Sequence, residues 1–138
     1  MRVMIKTYRQ LRRYQTFEEK YAYLRLGGSV GRDTFGFDRY ANQVLYHSSE
    51  WRQTRDKIII RDDGCDLGIE GREIFKGLIL HHINPITIED IENHADCIFD
   101  PNNLICTSSN THQAIHYGDQ SMLIILPQTR MRGDTKLW

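Results

Sequence analysis

What most restricts the fold is the scarcity of β-prone runs in the middle of the chain. Leu78-Ile79-Leu80 and Leu104-Ile105-Cys106 are the two compact ones, and glycines at 64, 68, 71 and 77 break the pattern ahead of the first. Between the two runs lies an acidic excursion. In it Thr87-Ile88-Glu89-Asp90 can open one short helix, and Asp100-Pro101 closes the segment. After the second run, Ser108, Ser109 and Asn110 offer capping oxygens to a helix over Thr111 to Tyr117, which Gly118 stops. The order is strand, long loop, strand, helix, so the expected class is α+β.

The amino-terminal part reads as helical. Thr16-Phe17-Glu18-Glu19 has capping-box spacing, with a helix from about Phe17 to Leu26 ended by Gly27-Gly28. The glycines of Gly27-Gly28-Ser29-Val30-Gly31 predict a turn rather than a phosphate loop, because no strand precedes them and no G-K-[ST] follows. A second helix is expected over Asp38 to Tyr46. A third runs from Ser49 as cap to Arg61 and stops near Asp63-Gly64, with Trp51, Ile58 and Ile59 toward the core and Arg52, Arg55 and Lys57 around a polar face. The apolar stretch Met122 to Leu126 suits a further strand, with a polar, basic tail behind it. One domain over residues 1–138 is expected: a basic helical part (1–62), a core (63–119) and a tail (120–138).

A net charge of zero conceals a split, because residues 1–61 carry 13 Lys and Arg against 6 Asp and Glu, while residues 62–138 carry 5 against 12. An amino half at +7 joined to a remainder at −7 fits a basic surface for an acidic polymer next to a carboxylate-rich segment. Met1 to Gln15 holds five positive charges, no negative ones, and Tyr8 and Tyr14, which suits either a phosphate-contacting arm or an ordinary ragged terminus. No run approaches the roughly 18 apolar residues of a membrane span, and the basic start lacks the apolar stretch of a secretory signal; a soluble, cytoplasmic protein is expected. Cys65, Cys97 and Cys106 form no C-x-x-C pair, so neither a disulfide framework nor a zinc knuckle is indicated.

Four of the six histidines fall in two tight groups, His81-His82 and His112-x-x-x-His116. Residues four apart on a helix share a face, so His112 and His116 can offer imidazole nitrogens to one cation. Neighbours on a strand point to opposite sides, so His81 and His82 divide the labour. Phosphodiester hydrolysis asks for such a division, since one group must activate water while another stabilises charge on phosphate and leaving oxygen. On this reading His82 is the general base, and His81, His112 and His116 are the metal ligands. Metal affinity is then expected to fall below about pH 6, where ordinary imidazoles protonate.

At these residues the chain resembles the HNH endonuclease family, whose ββα-metal (His-Me finger) site reads here as Leu80-His81-His82-Ile83, then Asn103-Leu104, then His112 and His116. The intervals, nine residues from Asn103 to His112 and four from His112 to His116, are similar to those of the colicin DNases, which also carry a paired histidine on the first strand. The resemblance implies a metal-binding His81, a general-base His82, and an Asn103 amide bracing the loop that carries the base, with Asn102 as the alternative one register away. Tyr46 through Asp66, Ile86 through Glu92 and the ending Gly133-Asp134-Thr135-Lys136-Leu137-Trp138 look like the small HNH proteins of bacteriophages, so the likeness spans nearly the whole chain. It implies cleavage of DNA, to a 5′-phosphate and a 3′-hydroxyl, and by analogy a place beside phage terminase in DNA packaging. Many family members have Asp at the position of His81, and many carry two C-x-x-C knuckles that this chain lacks. Three imidazoles suit zinc, nickel or manganese better than magnesium, the remaining candidate for one divalent ion.

Two blander readings stand beside this one. A structural metal site would account for His81, His112 and His116, with Cys106 as a fourth ligand, but gives His82 and Asn103 no task. A nucleic-acid-binding module without catalysis would still grip phosphate through its basic half, with Arg52, Arg55 and Arg61 as the contacts on the third helix.

Overall fold

The computed structural model describes residues 5–26 and 45–123. Its elements in chain order are α1 (Tyr8–Leu11), α2 (Phe17–Leu24), α3 (Ser49–Asp62), β1 (Ile79–His82), α4 (Ile88–Glu92), α5 (Asp96–Phe99), β2 (Leu104–Thr107) and α6 (Ser109–Tyr117). Single 3-10 turns fall at Asp66–Gly68, Pro101–Asn103 and Gln120–Met122. The described residues are thus mixed helix and a two-stranded sheet. The expected turn at Gly27 to Gly31, nearly all of the expected helix over 38–46, residues 124–126 of the expected final strand, and the tail lie outside the described residues.

β1 and β2 pair antiparallel, with Ile79 opposite Thr107, Leu80 opposite Cys106, His81 opposite Ile105 and His82 opposite Leu104. Because side chains alternate across a strand, this register sends Leu80, Leu104 and Cys106 to one face and Ile105 to the other. Each face has its own core. One cluster joins Ile105 and Ile83 to Leu11, Phe17, Tyr21 and Leu24 of the first two helices and to Ala114 and Ile115 of α6. The other joins Leu80, Leu104 and Cys106 to Trp51, Ile58 and Ile59 of α3 and to Ile98 of α5. Fully burying one such Leu or Ile contributes about 1.5–3 kcal/mol.

A two-stranded sheet leaves a backbone edge in need of partners, and α3 supplies them through its last turn. Asp62 Oδ2 accepts the Cys106 amide at 3.0 Å, and Arg61 Nη2 donates to the Leu104 carbonyl at 2.6 Å. Arg61 also donates to the Pro101 carbonyl at 2.6 Å and pairs with Asp62 at 2.9 Å, while its guanidinium lies 3.5 Å from the Tyr8 ring centroid. Two adjacent side chains thus act on β2 where a third strand would.

The caps follow the sequence with small shifts. Ser48 rather than Ser49 caps α3, accepting from the Trp51 amide, and the helix ends in a left-handed Asp63 at φ 55°. At α2 the Thr16 hydroxyl accepts from the Glu19 amide, but the Glu19 carboxylate accepts from the Thr16 hydroxyl rather than from the Thr16 amide, so only half of the box forms. The complete box is at Thr87 and Asp90, opening α4. Of the basic start, residues from Thr7 onward form a capped helical turn with Leu11 buried, which replaces the ragged-terminus reading over that stretch.

Candidate metal centre

β1 and α6 bring the histidines together. β1 places His81 and His82 at its carboxyl end, and α6 carries His112 and His116 one turn apart. The ligand atoms of His81, His112 and His116 all lie within 4.8 Å of one another. The rings meet edge to face, with centroids 5.3 Å apart for His81 and His112, 5.1 Å for His81 and His116 and 4.5 Å for His112 and His116. His82 does not belong to this group and stacks on Trp51 at 5.6 Å.

The triad fits a cation on its own chemistry. His81 is 2% exposed, and among the described residues its Nε2 is the buried side-chain polar atom without a hydrogen-bond partner. Such an orphan is destabilising unless something meets it, and a metal ion would. Burial, then the neighbouring His112 and His116, hold His81 well below the ordinary imidazole range. Burial, then His116 and His82, hold His112 down to about 3. Burial therefore favours the neutral, ligating form of both rings at pH 7. These three residues could hold one metal ion.

Cys106 is not part of this donor set. Its register partner is Leu80, on the sheet face opposite His81, and its thiol lies in the α3 core 3.9 Å from the Ile58 carbonyl. Burial pushes that thiol far up in pKa, away from the thiolate a metal needs. The fourth-ligand reading is corrected on that ground.

His82 is held by different contacts. Its Nε2 lies 3.0 Å from the Ile98 carbonyl oxygen. A carbonyl can only accept, so Nε2 carries the proton and Nδ1 keeps its lone pair. Burial lowers the pKa of His82 to about 4, against the raising influence of the Ile98 carbonyl and Asp90. The ring is 8% exposed.

The loop after His82 is braced by Asn103, fully buried ahead of β2. Its Oδ1 accepts from the Asn84 backbone amide and from Asn84 Nδ2, both at 2.8 Å, and its Nδ2 donates to the Cys97 carbonyl at 2.8 Å. One amide side chain thereby joins the two ends of the 83–103 excursion. Asn102 faces elsewhere and accepts the Arg9 amide at 2.9 Å. Asn84 extends the brace toward the amino terminus, accepting from the amides of Ile5 and Lys6 and donating to the Lys6 carbonyl at 2.6 Å.

Sequence reading missed Asp66, which seats α6. This carboxylate, 7% exposed, accepts from the Ser108 amide at 3.1 Å, from the Ser108 hydroxyl at 3.0 Å and from the Thr111 hydroxyl. It ties the start of the helix, and the residue before His112, to the turn after α3. The turn is tight, with buried Leu67 left-handed at φ 54° and Gly68 at φ 68°. The only sequence signal was an acidic residue in a glycine-rich stretch, which does not point to a helix 42 residues away.

Of the arginines read as phosphate contacts, Arg52 is exposed and Arg55 partly so. Arg61 reaches the β2 edge, where its guanidinium donates to the Pro101 and Leu104 carbonyls. Comparison with protein-family models, with curated proteins and with solved structures finds no match. Among the described residues no helix is long and apolar enough to cross a membrane.

Proposed function

We propose that this chain is a metal-dependent DNA endonuclease of the HNH type, with a ββα-metal site formed by β1, β2 and α6. One observation carries the proposal: three imidazoles from two elements converge to within 4.8 Å, while a fourth on the adjacent strand position keeps a separate environment. A purely structural metal site does not by itself require a fourth imidazole next to its ligands.

On this reading His81, His112 and His116 hold one divalent ion, and the all-imidazole set favours zinc, nickel or manganese over magnesium. When bound, the ion supplies Lewis-acid stabilisation of charge on the phosphate and the departing oxygen. The chain's own part is proton transfer and positioning. His82 Nδ1 accepts a proton from the water whose oxygen bonds to phosphorus, as the bond from phosphorus to the 3′ oxygen breaks and that oxygen takes a proton from a solvent water, leaving a 5′-phosphate and a 3′-hydroxyl. The Ile98 carbonyl holds the Nε2 proton through that step and steadies the imidazolium formed. A pKa of about 4 keeps His82 unprotonated at pH 7, and an approaching phosphate anion raises it toward a stronger base. Asn103 fixes the loop so that the ring does not drift. Likeness to small bacteriophage proteins extends the proposal to packaging DNA beside terminase, an argument from analogy.

The second reading, a nucleic-acid-binding module with a structural metal, draws on the 8% exposure of His82. Nicking of supercoiled plasmid across zinc, nickel, manganese and magnesium separates the two. Cleavage that needs a divalent ion and disappears in His82→Ala, with metal affinity intact, supports the endonuclease. Tight metal and DNA binding without cleavage in any ion supports the module.

A further inference from the structure

A concave site lined by arginines and by none of the histidines lies beside α1. We propose that the cleft between α1 and the Pro101–Asn103 turn binds a backbone phosphate of duplex DNA, flanking the bond to be cut; the identity of the polymer rests on the endonuclease reading. The cleft encloses about 470 Å³ and is lined by Arg9, Arg12 and Arg61, by Tyr8 and by the turn at 100–102. That space takes a phosphate with its sugar.

The walls are built before any ligand arrives. The Arg9 amide donates to Asn102 Oδ1 at 2.9 Å, locking α1 to the turn. Arg61 is fixed by the Pro101 and Leu104 carbonyls, and Tyr8 lies against it at 3.5 Å. Asp100, the acidic residue of the lining, has Oδ1 engaged by the Asn102 amide at 2.9 Å. With Asp62 balancing Arg61 and Asp100 offsetting one more charge, Arg9 and Arg12 leave the lining net positive. Guanidinium groups beside a fixed amide and an aromatic ring suit a phosphodiester, which takes forked donors and brings an apolar sugar.

The placement links this cleft to the histidines. Asn102 stands in the cleft wall, and the next residue, Asn103, braces the loop that leaves His82. Arg61 holds the carbonyl of Leu104, the register partner of His82. The cleft thus shares its turn and one strand partner with the residues that position His82.

The test measures DNA binding without cleavage. Anisotropy of a labelled 20-base-pair duplex is followed in EDTA over a salt series, for the wild type, for Arg9→Gln/Arg12→Gln, and for Arg13→Gln/Arg25→Gln. The last pair removes the same charge from exposed positions outside the cleft lining. The cleft predicts that Arg9→Gln/Arg12→Gln weakens binding roughly tenfold at moderate salt and lowers the slope of log K against log salt by about 0.9, the value for one phosphate no longer neutralised. The control pair moves both by less than half as much. Equal losses in the two pairs, an unchanged slope in Arg9→Gln/Arg12→Gln, or no binding by the wild type overturns the proposal. A wild type that binds with this arginine dependence yet fails to cleave in any divalent ion keeps the cleft and removes the endonuclease reading.

Discussion

Acid should unfold the metal-free protein by charging its buried imidazoles, and the size of the effect follows from the site. His82 and His112 fall from the ordinary 6.5 to about 4 and about 3 in the folded chain. A depressed imidazole pKa means that the folded state holds the neutral ring, so its stability is whole above pH 6.5 and is lost as pH falls toward the folded values. At pH 5 each ring has lost about 1.5 pH units at 1.36 kcal/mol per unit, or about 2 kcal/mol, and the pair about 4 kcal/mol. His81 shifts in the same direction and adds to this. Asp66, raised by burial, binds protons more readily when folded and offsets part of the loss at the acid end. Against a total of about 5–15 kcal/mol for a domain, the expected loss is large. Urea unfolding in EDTA at pH 7, 6 and 5 reads it directly, and His82→Gln should remove about half of the pH dependence left by the two rings. Stability constant to within about 1 kcal/mol from pH 7 to pH 5 refutes the burial of neutral imidazoles.

Other consequences are as specific. Metal affinity measured by calorimetry should fall less between pH 7 and pH 5 than at a site of exposed imidazoles, because burial favours the neutral rings of His81 and His112; a steep fall just below pH 6 contradicts that. Asp66→Ala should destabilise by about 3 kcal/mol, since it strips the partners from a helix start and leaves buried hydroxyls and an amide unmet; it should also weaken metal binding, and loss of neither would show that α6 is seated by other contacts. Asn103→Ala removes the tie across the 83–103 excursion and should lower Tm by an amount equivalent to about 1–3 kcal/mol, with plasmid nicking falling more than metal affinity. Unchanged nicking would detach the brace from function. His112→Ala should impair both metal binding and nicking, in contrast with His82→Ala.

The parts of this fold that local chemistry decides were legible in the sequence. Gly118 stops α6, Thr87 and Asp90 open α4, and the alternation along Leu80-His81-His82 separates the two neighbouring rings. What could not be read are contacts that only the assembled chain makes. Asp62 and Arg61 look like the polar end of a helix, yet they finish a strand 40 or more residues away. Asp66 looks like a loop carboxylate, and its role exists only once the turn after α3 meets the start of α6. The burial of His81 and the lowered imidazole pKa of His81 and His112 were hidden for the same reason, because a histidine's spacing says which face it occupies and nothing about how dry that face is. Asn103 shows the intermediate case: a one-residue register decided between it and Asn102, and the 3-10 turn at Pro101–Asn103 turns one inward to the excursion and the other to α1.

Anomalous diffraction from crystals loaded with nickel or zinc would test the central arrangement most directly. The account predicts one metal peak bonded to nitrogens of the rings at 81, 112 and 116, with the ring at 82 outside the coordination sphere and still donating to the carbonyl of Ile98. A peak ligated by His82, or no ordered metal among the three rings, would contradict it.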